Sequence, residues 1–457
     1  MSAKMSESSN RPAWGSAEVA DLVDPETGHQ NARVYSSEAV YQRELETVFG
    51  RSWLCVGHES QIKKPGDYVT SYMGEDSVIV TRAPDESINV MLNQCRHRGV
   101  KLCRGDYGNT RAFVCSYHGW CYAMDGRLTG MPHEKTEGYY GELDKSQWGL
   151  IRVPRVESYR GLIFANWDEN ATPLSEHLGE GAWYLDAVLD RCEGGTEVLA
   201  VHKWRVRGNW KFGAEQHVSD FTHAACSHVS FKEAVNPGAS IARLVDAPAP
   251  MEYGLQYSSP KLGHGAGWMT WPDDAMLVEA IPVQRPEIID WWRGEGGRRQ
   301  MERLGESRGS KMAVLHMNIF PNLTFNRGEG YMRFWHPRGP NECEVWSYVL
   351  VNADDPPEVK QAWVRGCSEA FSAAGYLEQD DTENAMCASM GLRGWKSRET
   401  PLSIGMGLGH AEPNRANQDH PDGFDGPGNI SYVYSEEGLR GFYRRWAELM
   451  ADEGAAS

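Results

Sequence analysis

The chain has no apolar run approaching about 18 uninterrupted residues, the length a helix needs to cross a bilayer. It also lacks a basic stripe. Lys and Arg number 46 against 63 Asp and Glu, a formal charge of -17, and no Lys/Arg-rich run could neutralise phosphates, which excludes nucleic acid as a partner. Met1 to Asn10 is polar, without the apolar core of a secretion signal, so the expectation is a soluble cytoplasmic protein. The 10 Cys show no paired framework of the kind that staples small secreted domains; they are read as reduced and mostly core. No internal repeat is present. What the chain does have is size and aromatics. Its 457 residues include 17 Trp, 19 Tyr and 12 Phe, enough for two domains and a hydrophobic pocket of the sort enzymes use.

Two Cys and two His stand in a mixed pattern: Cys95 and His97 in C-x-H, then seventeen residues, then Cys115 and His118 in C-x2-H. Each half offers one thiolate and one imidazole on a short loop. In a Rieske [2Fe-2S] centre two Cys hold one iron and two His hold the other, so this ligand set matches that cluster. A structural zinc site is the rival, because Cys2His2 also satisfies tetrahedral zinc and Cys103 and Cys121 lie nearby. Zinc fingers, however, keep their Cys together and their His together.

Around these loops, short apolar runs alternate with turn residues: Asp76 to Thr81, Ile88 to Asn93, Ala112 to Cys115 and Gly161 to Asn166. They predict strands, and so a small antiparallel β domain over 50–167. The remainder, 1–49 and 168–457, reads as a mixed domain with helices over Leu174 to Val188 and Val359 to Ala374. Strands are expected over Arg333 to His336 and Glu344 to Val351. Glu287 to Gly309 is charged and reads as an exposed helix or loop, and His410 to Gly428 as a long loop. The fold class expected is α+β.

A second constellation falls in the larger domain: Asp220, His223 and His228 within one helical segment. Two His plus a carboxylate from elsewhere make a facial triad that leaves open positions on Fe(II). His223 and His228 are five apart, about 140° around an ideal helix, so the helix must bend or end between them. Asp220 and His223 are three apart and share a face, which makes Asp220 a candidate partner for that imidazole rather than a ligand. Gln216, His217, Phe221, Ala224 and Leu377 are the candidate pocket residues by position.

With both constellations present, nearly the whole chain resembles the large (α) subunits of Rieske non-heme iron aromatic-ring-hydroxylating dioxygenases of the naphthalene and biphenyl type. The matching stretches run from the Trp53 region through Asn209, Trp210 and Lys211 to Arg440. The resemblance supplies the third ligand: Glu378, Asp380, Asp381 and Asn384 follow the family's acidic pattern, in which the second Asp is the ligand, implying Asp381 with Asp380 as rival. It implies Asp220 as the electron bridge from His118 of the partner subunit to His223, and hence a trimeric α core. It further implies a small β subunit, and a ferredoxin and a reductase that bring electrons from NADH. Val100 and Tyr117 stand where respiratory Rieske proteins carry an extra cysteine pair, which implies the low-potential type. Glu215 with Gln216 resembles relatives acting on polycyclic aromatics, so a two- or three-ring hydrocarbon converted to a cis-dihydrodiol is the expected reaction.

Three departures keep alternatives open. Thr222 replaces a frequent Tyr, and His217 and Lys232 are polar where relatives are often apolar, which admits an aromatic acid of the phthalate kind. One Fe(II) can also insert a single oxygen atom, as a monooxygenase or O-demethylase does. A pure electron carrier is the remaining reading, against which about 290 residues follow Trp167.

Overall fold

Val78, Ile79 and Val80 are all fully buried on the strand Asp76–Arg82. Successive strand side chains point to opposite faces, so this run must be covered on both sides. Val78 and Val80 enter a core shared with Trp210, Phe320 and Trp446, while Ile79 enters one shared with Cys95, Cys115 and Trp120. One strand thus ties the metal-ligand loops to the rest of the molecule. The computed structural model describes residues 15–230, 254–269, 285–312, 314–410, 424 and 426–451.

Asp76–Arg82 belongs to a four-stranded antiparallel sheet with Ile88–Leu92, Asp67–Met73 and Tyr107–Asn109. Ala112–Val114, Cys121–Ala123 and Leu128–Gly130 form a three-stranded meander beside it. A third sheet pairs Leu54–His58 with Leu162–Asn166 and Arg155–Tyr159. All three are antiparallel, as the alternation predicts.

The larger part is built on an eight-stranded antiparallel sheet. Its strands are β1 (Thr196–Val206), β2 (Gly254–Ser258), β3 (Gly265–Met269), β4 (Val314–Ile319), β5 (Leu323–Asn326), β6 (Tyr331–Pro337), β7 (Cys343–Asn352) and β8 (Asn429–Tyr432), in the order β1-β7-β6-β5-β4-β3-β2-β8. The two faces differ in chemistry. Met317, Phe325, Met332 and Tyr348 stand in register on one face, with Ile319, Leu323, Phe334 and Trp346 beside them, and all join the core under Tyr184 and Leu185. The opposite face carries His316, Asn326 and Tyr331 in one row and Asn318, Thr324, Arg333 and Ser347 in the next. Polar residues at period two usually mark a solvated face; here most of them are buried, under helices.

The covering helix is α1 (Trp210–Ser219), capped by Asn209, whose side chain accepts from Lys211 N. It can lie close because two glycines leave room: a Cβ on Gly213 would meet Trp335 at 2.3 Å, and one on Gly265 would meet Val218 at 2.2 Å. Its far side is held by a fully buried ion pair, Lys211 Nζ to Glu44 Oε1 at 2.5 Å, with Glu44 on the N-terminal helix Glu38–Arg51. Trp210 Nε1 and Trp446 Nε1 also donate to that carboxylate, at 3.0 and 2.8 Å. A buried charge pair tolerates desolvation only when its remaining lone pairs are satisfied, and here the two indole donors serve the carboxylate beside Lys211.

Two expectations shift in detail. Leu174 to Val188 is two helices, Leu174–Leu178 and Gly181–Leu189, broken at Gly179 with φ 47°. The charged segment becomes the helices Pro286–Arg293 and Glu295–Glu306. Lys232 and most of the long loop near His410 lie outside the described residues.

Candidate active site

After α1 the chain opens at Asp220, with ψ 92°, and re-enters a short helix α2 (Thr222–Ser227) that ends at His228. The end of α2 resolves the angular conflict between the two imidazoles: His223 lies inside α2 and His228 at its C-cap. Asp220 therefore does not share a continuous helical face with His223. It stands just before α2, where Oδ1 accepts from His223 N at 3.1 Å and Oδ2 lies 3.3 Å from His223 Nδ1. Burial works against charge on His223, but Asp220 and Asp381 outweigh it and hold its pKa above the ordinary value. Burial likewise pushes Asp220 up, and His223 more than offsets this, leaving its carboxyl low.

The third element is α3 (Glu378–Gly391), which contacts α2. Asp381 Oδ1 lies 3.7 Å from His223 Nε2 and 3.5 Å from His228 Nε2. Asp380, one residue earlier, is turned the other way, with Oδ2 3.1 Å from His228 Nδ1. Each imidazole thus has a carboxylate behind it, Asp220 or Asp380, and shares Asp381 in front. Ligand atoms of His223, His228 and Asp381 all fall within 4.8 Å of one another, the one such group among the described residues. Asp381 Oδ1 is enclosed and has no hydrogen-bond partner among the described residues. A bare carboxylate oxygen between two imidazole nitrogens has the chemistry of a donor set that could hold a metal ion rather than of a protein hydrogen-bond network.

The remaining predicted pocket residues divide. Gln216 Nε2 lies 3.0 Å from His223 Nε2, Phe221 stacks on His316 with ring centroids 4.3 Å apart, and Ala224 is partly accessible. His217 and Leu377 are buried: His217 bonds Gly213 O and Tyr331 Oη, and Leu377 packs with Tyr331, Ala370 and Phe371. They back the wall rather than face open space. A cavity of ≈ 220 Å³ adjoins the triad, lined by Phe212, Gly213, Gln216, Asp220, Trp335 and Asp381 among others. Beneath it, Arg333 and Glu378 form a buried ion pair at 2.6 Å, and burial, opposed by Arg333, pushes the Glu378 carboxyl up to about 7. His316, Glu329, Tyr331 and Arg333 were not singled out from sequence as site residues, and Glu378 entered only as the first residue of the acidic pattern. The period-two polarity of His316 and Asn318 on an otherwise apolar strand was the available signal.

The cluster loops are built alike. Cys95 N bonds Val100 O while Gly99 N bonds Cys95 O; Cys115 N bonds Trp120 O while Gly119 N bonds Cys115 O. Gly99 and Gly119, at φ 71° and 70°, take the left-handed turn that closes each loop. Both cysteines are buried and free. The His97 and His118 rings lie 4.5 Å apart, and His97 Nδ1 has no hydrogen-bond partner among the described residues. Burial, with His118 and Arg98 adding to it, lowers the His97 pKa and favours the neutral ligand form. No three of these four groups converge to the single-ion spacing of the triad, whereas one tetrahedral zinc would gather all four; a wider two-iron cluster fits.

Comparison with known proteins shows the family to which the chain belongs. Residues 52–159 match the Rieske [2Fe-2S] domain, and 178–452 match the catalytic domain of the ring hydroxylating alpha subunit. The chain is 45% identical over 445 residues to biphenyl 2,3-dioxygenase subunit alpha of Rhodococcus jostii (strain RHA1), covering 96% of this chain and 93% of that one. It is 45% identical over 452 residues to chlorobenzene dioxygenase subunit alpha of Cupriavidus sp. (strain PS12), covering 98% and 96%. A phenanthrene-bound variant of naphthalene 1,2-dioxygenase superposes with TM-score 0.83 at 33% identity, covering 95% of each chain. No helix among the described residues is long and apolar enough to cross a membrane. The chain belongs to the ring-hydroxylating dioxygenase alpha subunits: it is an oxygenase component with a Rieske [2Fe-2S] cluster and a mononuclear iron, acting in a multicomponent aromatic-ring dioxygenase.

Proposed function

We propose that Cys95, His97, Cys115 and His118 hold the cluster, and that His223, His228 and Asp381 hold the iron. The observation that supports this most is the bare Asp381 Oδ1 between two imidazole nitrogens, each imidazole backed by its own carboxylate. When bound, the cluster supplies electrons singly and the iron supplies the redox chemistry that activates O2 beside the ring. The protein's own part is to fix the imidazoles through Asp220 and Asp380 and to exclude water beneath the sheet.

Asp220 is the bridge in this reading. Its side chain is 43% exposed although it backs His223, so it can also meet His118 of the partner subunit. His118 is exposed, and Val114 and Tyr117 near it are 61% and 59% exposed, a patch suited to docking a second copy. A head-to-tail contact of this kind closes into a ring, here a trimer of α chains, with a small β subunit making α3β3. A ferredoxin and an NADH-dependent reductase deliver the electrons in the cytoplasm. The domains divide at 50–167 against 1–49 with 168–457. The substrate is a two- or three-ring arene, which receives both atoms of O2 to give a cis-dihydrodiol.

Metal analysis of the purified protein tests the ligand assignment. Two irons belong to a [2Fe-2S] cluster and one to the triad. Cys95→Ser is expected to lose the cluster pair and its red-brown colour, and His223→Ala only the single iron. A colour that survives Cys95→Ser would contradict it.

A further inference from the structure

His316 and Glu329 lie deep inside the protein, yet both keep part of their surface accessible. A residue that is deep and still accessible faces an internal space. His316 reaches that space beside the triad, since it stacks on Phe221 and carries the charges of His223 and His228 as neighbours. Glu329 sits in the turn between β5 and β6, at the end of the row His316, Asn326, Tyr331, with Asp381 among its charged neighbours. The row and the turn together form a polar wall on the triad's side of the sheet.

That wall has unused hydrogen-bonding capacity. Glu329 Oε2, His316 Nδ1 and Asn326 Oδ1 are enclosed and have no hydrogen-bond partner among the described residues. Enclosed polar atoms without partners are rare and costly, so three in one wall call for something that completes them. A plain hydrocarbon cannot. A carboxylate is a poor fit as well, because Asp381 and Glu378 are acidic neighbours and the nearby cation, Arg333, is fully buried and paired with Glu378. Burial pushes the Glu329 carboxyl up and the His316 imidazole down, the direction that favours the neutral form of each.

We propose that the arene taken by this site carries a neutral hydrogen-bond donor, a hydroxyl or an amino group, which Glu329 and His316 receive. The donor on the ring is accepted by the Glu329 carboxyl, and His316 completes the contact from the far side. The inference rests on the oxygenase reading above and narrows its substrate class. Glu329 and His316 are then specificity-determining residues rather than groups that act on the reacting carbons.

Calorimetric titration of the iron-loaded holoenzyme, without O2, tests it with biphenyl, meta-hydroxybiphenyl, meta-aminobiphenyl and meta-biphenylcarboxylate. The hydroxyl or the amino compound is expected to bind about tenfold tighter than biphenyl, equivalent to about 1.4 kcal/mol, and whichever gains more identifies the substituent. Glu329→Leu is expected to abolish that preference without loss of iron, and Glu329→Gln, which still accepts a hydrogen bond, to keep most of it. Equal binding of biphenyl and both donors by the unaltered enzyme overturns the proposal, as does a preference that survives Glu329→Leu or a carboxylate that binds as tightly as the donors. The same panel is then given O2 and reductant. Preference without any oxygenated product would sink the oxygenase reading and leave this inference standing; products without preference would do the reverse.

Discussion

Asp380 Oδ2 lies 3.1 Å from His228 Nδ1, the mirror of Asp220 Oδ2 at 3.3 Å from His223 Nδ1. A carboxylate behind a metal-bound imidazole fixes its tautomer and raises its basicity, and losing it typically costs 10–100-fold in metal affinity. Asp380→Asn is therefore expected to weaken Fe(II) binding by about that factor while the cluster colour stays intact. Titration of the apo triad with Fe(II) or Co(II) measures it. Unchanged affinity would make Asp380 a bystander.

Asp220→Asn separates electron delivery from metal binding. The amide can still accept from His223 N, where Oδ1 does so at 3.1 Å, but it no longer carries the charge that faces His223 Nδ1. At Fe(II) concentrations high enough to saturate a site weakened as Asp380→Asn weakens it, both metals should load, the cluster should still be reduced by its donor, and product formation should fall by orders of magnitude. Full product formation with both metals present would remove Asp220 as the bridge.

The Glu44–Lys211 pair is a stability prediction. Both side chains are fully buried, so Lys211→Met strands a carboxylate in the core and is expected to cost about 3–5 kcal/mol. Adding Glu44→Gln should recover part of that loss, since the pair can be replaced more cheaply than broken. Urea unfolding of the two single variants and the double variant reads the coupling.

His217 gives the pH dependence a sign. Burial, reinforced by Arg333, lowers its pKa to about 3, below the ordinary unfolded value near 6.5. The stability gained by keeping it neutral is fully present above about pH 6.5 and is lost as the pH falls towards about 3, at up to roughly 1.4 kcal/mol per pH unit. His217→Phe should flatten the unfolding free energy between about pH 6 and pH 4 by up to that slope. A profile of unchanged steepness would show that other groups carry the acid sensitivity.

The two proposed ligand constellations stand out in the sequence because metal chemistry restricts residue type and spacing so tightly: Cys95, His97, Cys115 and His118 match a cluster donor set before any fold is known. The five-residue gap between His223 and His228 even announced the end of α2. Asp381 was harder, since an acidic run on a helix usually means a solvated face, and only the resemblance separated it from Asp380; the structure turns one towards both imidazoles and the other behind His228. The polar wall was not legible. His316, Asn326 and Tyr331 come from three strands, and only sheet register places them in one row. Alternating polarity in β4 and β5 looks like a solvated face until α1 is known to cover it. Glu44 and Lys211 are 167 residues apart, and nothing local in either segment announces the other.

The most direct measurement supplies the reconstituted enzyme with NADH, its electron-transfer partners, a hydroxylated or amino biaryl and isotopically labelled O2, followed by mass analysis of the product. The account predicts a cis-dihydrodiol in which both new oxygens carry the label. A product with one labelled oxygen would make this a monooxygenase, and a product labelled only from water would contradict the account altogether.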